Sequence, residues 1–167
     1  LRVISILEKS LGAYHPNVAT CLNNLAQLLQ ATNRLADAEP LYWRALAIDE
    51  RSYDKDHPNV AMSLACVAHM LQATNRMAEA EPLMRRHLEI FLKFTVSTGH
   101  QHPHLQAAIE NYVGLLSQMG RSSAEVQLFS VAAKDVLAEL KRWLEFIASE
   151  RRLSPKTCEA YARDVSF

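Results

Sequence analysis

The sequence predicts an all-α fold of stacked antiparallel helix pairs, and three observations carry that reading. The stretch His15–Leu46 returns at His57–Leu88 after 42 residues, with 20 of the 32 residues identical. A fixed period of this size signals a repeat architecture, in which each unit buries its apolar face only against its neighbours. Within each copy, apolar residues recur at i, i+3, i+4 and i+7, the spacing of an amphipathic helix. Turn-forming residues fall at the same place in both copies, so every unit reads as helix, turn, helix.

The chain opens with Leu1–Gly12. Shifted by 42, Val3 falls on Ala45, Ile4 on Leu46 and Ile6 on Ile48. The opening segment therefore reads as the end of a second helix, with earlier repeats expected upstream. Asn17–Ala31 is the next helix, with Val18, Cys21, Leu22, Leu25, Leu28 and Leu29 on its apolar side. Pro16 suits its first turn, where a missing N–H costs little. Asn33 is expected to end it, because asparagine tolerates the left-handed backbone of a helix terminus. The partner helix runs from Leu35 to Arg51, presenting Ala38, Leu41, Tyr42, Ala45, Leu46 and Ile48. Pro40 and Pro82 lie in the first turns of their helices, each deleting one backbone hydrogen bond. Tyr53–His57 is the turn into the second copy.

The third copy starts at His102-Pro103, offset by 45, with three residues inserted around Thr95–His100. Its first helix is predicted over Leu105–Met119, and Gly120-Arg121 matches Asn33-Arg34. Its second helix departs from the pattern and reads as a weak cap over Ser123–Ala133. Residues 134–167 follow no such period. One helix there carries Val136, Leu140, Trp143, Leu144 and Ile147. A second begins at Leu153-Ser154-Pro155, where serine caps and proline takes the first helical position.

Composition narrows the function classes. The chain has 167 residues, 49% hydrophobic and 22% charged, as in ordinary globular proteins. A formal net charge of zero argues against a globally basic nucleic-acid binder. No apolar run approaches the roughly 18 residues of a membrane span. The three cysteines, Cys21, Cys66 and Cys158, lack metal-ligand spacing. They read as packing thiols of a reducing compartment, hence a cytoplasmic location. No signal peptide is visible, but the chain begins at Leu1, so the natural N-terminus is expected upstream and an export signal stays open.

The helix–turn–helix pattern, with DHPNVA, LNNLA and AEPLY at a 42-residue period, resembles tetratricopeptide repeats of the kinesin-light-chain type. The signature positions fall on Leu22, Leu25, Ala26, Leu29, Leu35, Ala38, Tyr42 and Ala45. In the second copy they fall on Leu64, Val67, Ala68, Leu71, Met77, Ala80, Met84 and His87. Ala26, Ala38, Ala68 and Ala80 are small where two helices must approach closely. His87 departs from the first copy's Ala45, which predicts looser packing there. The resemblance implies a right-handed solenoid of about two and a half to three repeats over 1–133, divided as 1–14, 15–56, 57–101 and 102–133. It also implies a concave groove for an extended peptide. The groove positions are Thr20, Asn23, Gln27 and Gln30, then Met62, Ala65, His69 and Gln72, then Ala107, Glu110, Gly114 and Ser117. Side-chain amides there can pair both groups of a peptide backbone. The alternative is that they are ordinary polar residues of amphipathic helices.

The tail LKRWLEFIASERRLSPKTCEAYARDVSF resembles the start of the core-binding N-terminal domain of Xer-type tyrosine recombinases. The pattern residues are Leu153, Ser154, Thr157, Tyr161, Asp164 and Phe167. That likeness implies DNA-phosphate contacts from Arg151, Arg152, Ser154, Lys156, Thr157 and Arg163. The alternative reading is a solvated surface, since Glu145, Glu150, Glu159 and Asp164 balance the cations.

No nucleophile elbow, phosphate loop, HExxH or paired-carboxylate motif occurs, so no enzymatic activity and no cofactor are expected. His100, His102 and His104 alternate along a loop and could face a metal, but His15-Pro and His57-Pro explain His102 as a repeat residue. No metal site is expected. The sequence thus predicts a non-enzymatic scaffold for a protein or peptide partner. The rival is a DNA-binding recombinase fragment lacking its catalytic domain. A third reading is a fusion of two unrelated pieces.

Overall fold

The computed structural model describes residues 2–121. Six helices follow one another: α1 (Arg2–Leu11), α2 (Pro16–Ala31), α3 (Leu35–Ser52), α4 (Pro58–Ala73), α5 (Met77–Thr98) and α6 (Leu105–Gln118). There is no strand among the described residues. The helices expected over Asn17–Ala31, Leu35–Arg51 and Leu105–Met119 appear within one residue of those bounds. The capping segment 123–133 and the tail 134–167 lie outside the described residues.

The helix pairs α2–α3 and α4–α5 start the same way. His15 is the N-cap of α2, and its Nδ1 accepts from the Asn17 N–H at 3.2 Å. His57 caps α4 identically, accepting from Asn59 at 3.1 Å. His102 accepts from the His104 N–H at 3.2 Å in the same i to i+2 geometry, although α6 begins only after His104, whose own side chain makes no capping bond. An imidazole lone pair thereby satisfies one orphan donor, and proline follows where no donor is needed. This is the physical content of the recurring His-Pro.

Each first helix also ends the same way. Asn33 and Asn75 both take φ of 60°, and Gly120 takes 72°. The Arg34 N–H reaches Leu29 O at 2.8 Å while Asn33 N–H reaches Gln30 O at 3.0 Å. Arg76 and Asn75 repeat both bonds on Leu71 and Gln72, and Arg121 and Gly120 repeat them on Leu116 and Ser117. These paired six-to-one and five-to-two bonds define the Schellman turn.

The seams match the expected pattern. α2 packs on α3, α4 on α5, α3 on α4 and α5 on α6. Ala26, Ala38, Ala68 and Ala80 are fully buried at the helix contacts. Val18, Leu22, Ala45 and Ile48 form one core cluster with Ile4 of α1. Ion pairs then tie successive units along the outside. Arg44 pairs with Glu8, and its repeat counterpart Arg86 pairs with Glu50 at 2.6 Å. Arg76 spans from Glu79 to Glu39 of the preceding unit.

Three details differ from the sequence reading. Leu28, placed on the apolar face, is 62% exposed, whereas its counterpart Met70 is fully buried. Met70 belongs to α4, which packs on both α3 and α5, whereas α2 has the 10-residue α1 in the place that α3 takes beside α4. The inserted residues before the third copy lengthen α5 to 22 residues, ending at Gly99 with φ of 69°. His87 does not loosen the stack. It is 3% exposed, its Nδ1–H donates to Ala61 O at 2.8 Å, and its ring meets Phe91 edge-on at 4.9 Å.

Candidate functional site

Because α2 and α4 begin with the same cap and end with the same turn, their side chains run in register. Between them, backed by the end of α3, lies a recess of about 240 Å³. Its lining includes Thr20, Asn23, Asn24 and Gln27 of α2, Asn59, Met62, Ser63 and Cys66 of α4, and Asp49 of α3, closed by Pro16 and Tyr53. Four carboxamides face one small space. The lining contains no lysine or arginine.

The recess therefore brings together Thr20, Asn23, Gln27 and Met62 among the residues expected in a groove. Gln30, one turn further along α2, accepts from the Tyr42 hydroxyl at 2.9 Å. Burial pushes that phenol up to about 12. His69 and Gln72 of α4 bond to each other at 3.1 Å, and Gln72 reaches Gln118 of α6 at 3.5 Å. Ala65 is buried at 7% exposure. Glu110 of α6 is exposed and accepts from Gln106 at 2.8 Å. These polar residues lie outside the recess lining.

At the base of the recess is a directed chain that the sequence reading did not single out. Asn23 Nδ2 donates to Ser63 Oγ at 3.1 Å, and Ser63 Oγ donates to Asp49 Oδ2 at 2.5 Å. Asp49 is 6% exposed and Ser63 1%. Burial pushes the Asp49 carboxyl above its ordinary value, although the Ser63 bond and nearby His57 favour its charged form. Asn23 Oδ1 is buried without any hydrogen-bond donor. A sequence signal for Asp49 did exist: the positions 42 residues before and after it are Leu7 and Phe91. Burial likewise pushes the Cys66 thiol up, against the pull of the Gln27 amide. A thiol held protonated is a poor nucleophile.

The histidine run packs rather than converging. His102 stacks on Phe91 with ring centroids 4.2 Å apart and meets Phe94 edge-on at 4.9 Å. Among the described residues, no group of three or more His, Cys, Asp or Glu side chains is placed to hold a metal ion. None of the described helices is long and apolar enough to cross a membrane. Arg151, Arg152, Ser154, Lys156, Thr157 and Arg163 lie outside the described residues.

Residues 18–59 match the profile of the tetratricopeptide repeat. The helix pairs, their period and this match give residues 2–121 the tetratricopeptide-repeat fold. The nearly identical repeats of a kinesin light chain from Podosopora anserina superpose with a TM-score of 0.71 at 23% identity, over 83% of this chain and 64% of that one. A point-substituted variant of that same protein gives 0.70 at 22% identity, over 83% and 63%. A second likeness is short and local. Tyrosine recombinase XerC of Nitrobacter winogradskyi is 62% identical over 34 residues, 20% of this chain and 11% of the recombinase. XerC of Rhizobium meliloti is 50% identical over 39 residues, 23% of this chain and 12% of its own length. These local identities support the recombinase-like segment, and the chain spans about a tenth of the length of the curated recombinases it matches.

Proposed function

We propose that this chain is a protein-interaction scaffold, without catalytic activity of its own, that holds an extended peptide on the face made by α2, α4 and α6. The observation that carries this is the recess itself. Asn23, Asn24, Gln27 and Asn59 converge on a space of about 240 Å³ between helices of successive repeats. Carboxamides offer both a donor and an acceptor, which is what a peptide backbone needs. The Gln72–Gln118 bond continues the same polar line toward α6. In this reading Thr20, Met62, His69 and Glu110 contact the ligand's side chains, and Gln30 keeps one amide group for it. The thiols at Cys21 and Cys66, free and partly buried, suit a cytoplasmic protein.

Peptide-display selection against the full chain tests this. Enriched peptides should lose affinity when Asn23 and Gln72 are both changed to alanine. Enrichment that survives the double change removes this face as the binding site.

The recombinase similarity favours a second reading, in which Arg151, Arg152, Ser154, Lys156, Thr157 and Arg163 engage DNA phosphate. Fluorescence anisotropy with a labelled duplex at about 150 mM salt, near physiological ionic strength, decides it. Binding lost when residues 134–167 are removed supports DNA contact; absence of binding by the full chain rejects it. A chain joining a scaffold to a recombinase-derived piece is compatible with both results.

A further inference from the structure

We infer that the recess between α2 and α4 is a specificity pocket for one cationic side chain, lysine or arginine, of the bound peptide, with Asp49 as its counter-ion. This rests on the peptide-binding reading above and adds the chemistry of the ligand.

The argument begins with the direction of the hydrogen bonds. Asn23 donates to Ser63, and Ser63 donates to Asp49. Both bonds run toward Asp49, and the buried group they leave without a partner is an acceptor. Asn23 Oδ1 is buried without a donor. Asp49 receives only the Ser63 bond among the described residues, although a carboxylate offers about four lone-pair sites. Whatever completes the site must donate, and an ammonium or guanidinium group carries three or five donors and no acceptor.

Charge points the same way. Asp49 is the one acidic residue in the lining, and no lysine or arginine accompanies it. A buried charge is costly unless paired. Size sets the scale, since about 240 Å³ lies below the roughly 300–1,000 Å³ of pockets that take whole small molecules. Met62 and Tyr53 supply apolar surface for an alkyl stem, the usual way a long cationic side chain is accommodated.

Position in the repeat is the independent observation. Asp49 stands where neighbouring units carry Leu7 and Phe91, and Asn23 stands where the second copy carries Ala65. Phe91 and Ala65 are both buried. The first full repeat has thus placed a carboxylate where both neighbouring units carry apolar groups, and an amide where the second copy carries alanine and the third Glu110. A local rule broken in this way marks a site kept for something other than packing.

The test uses peptide-display selection on the full chain, followed by calorimetric titration of the winning peptides. Selected peptides should share a lysine or arginine at one fixed position. Replacing that residue by norleucine, or changing Asp49→Asn in the protein, should each weaken binding by about tenfold or more. The two changes together should weaken it no more than either alone. Asp49→Asn keeps shape and the Ser63 bond, and an unchanged circular dichroism spectrum shows the fold intact. Peptides without a shared cation, or undiminished binding by Asp49→Asn, overturn the pocket while leaving the peptide face standing. Failure to select any peptide sensitive to the Asn23 and Gln72 changes overturns the peptide face and the pocket with it.

Discussion

Ser63 of α4 donates its hydroxyl proton to Asp49 of α3 across 2.5 Å, so two successive repeats are joined through a buried carboxylate. The counterparts of these residues in the neighbouring units are not built this way. Cys21 takes the place of Ser63, and Leu7 and Phe91 take that of Asp49. The contact is therefore peculiar to one junction of the stack, and its energetics can be isolated.

Changing Asp49→Asn should raise the melting temperature at neutral pH. The folded-state pKa is raised above the ordinary 3.8 by burial. Below 3.8 the group is protonated in both states and costs nothing. As pH rises through the folded pKa, the native state must carry a buried charge, and stability is lost. Asparagine does not titrate, so the gain should be full at pH 7 and shrink toward pH 3.8. Thermal unfolding of both proteins across this range checks the sign. A variant that melts lower at pH 7 would show that the carboxylate is stabilised by its surroundings.

His87 should make the protein sensitive to mild acid. Burial lowers its pKa below the ordinary 6.5, while its neutral ring donates to Ala61 O. Between the folded and unfolded values the unfolded chain binds more protons, so stability falls as pH drops below about 6.5. His102, also lowered by burial, adds to the slope. His87→Ala restores the residue found at Ala45 and should cost of order 1–2 kcal/mol at pH 7.5, from the lost bond and the packing around Phe91. It should also flatten the decline between pH 7 and 5. Urea midpoints measured at half-unit steps of pH read both effects.

The helix ends can be tested without touching the groove. Asn33 and Asn75 hold φ of 60°. Alanine there should cost about 1 kcal/mol at each site, because it keeps the Cβ that crowds the following carbonyl and loses the short polar side chain that offsets it in the left-handed region. Glycine should be close to neutral, as the third copy's Gly120 at 72° already suggests. Equal losses for alanine and glycine would mean that the asparagine side chain, and not the backbone conformation, supports the turn.

Much of the fold was legible because the determinants are local and occur more than once. His15 and His57 mark the same cap, Asn33 and Asn75 the same turn, and Ala26 and Ala68 the same close contact. Comparing two copies separates what the architecture requires from what one repeat tolerates. Leu28 is exposed where its counterpart Met70 is buried, because burial depends on the neighbouring unit, a tertiary matter that periodicity does not carry. His87 was read from polarity alone, although a buried imidazole is well tolerated where a helix carbonyl can accept its N–H, as Ala61 O does. Thr20, Asn23, Gln27 and Met62 reached the recess through the family pattern. Asp49 and Ser63 escaped notice because they lie on stretches otherwise read as core. Alignment against Leu7 and Phe91 would have exposed Asp49, since an acidic residue among apolar counterparts is the visible trace of a local exception.

The central claim is that a peptide lies on the α2–α4 face, and Asn23 tests it most directly. Alanine is compatible with this position, since the second copy carries Ala65 there, buried and well packed. Calorimetric titration of one selected peptide into the full chain and into its Asn23→Ala variant isolates the amide's contribution. The account predicts affinity about tenfold weaker for the variant, with its melting temperature little changed. Equal affinities for the two proteins would contradict it.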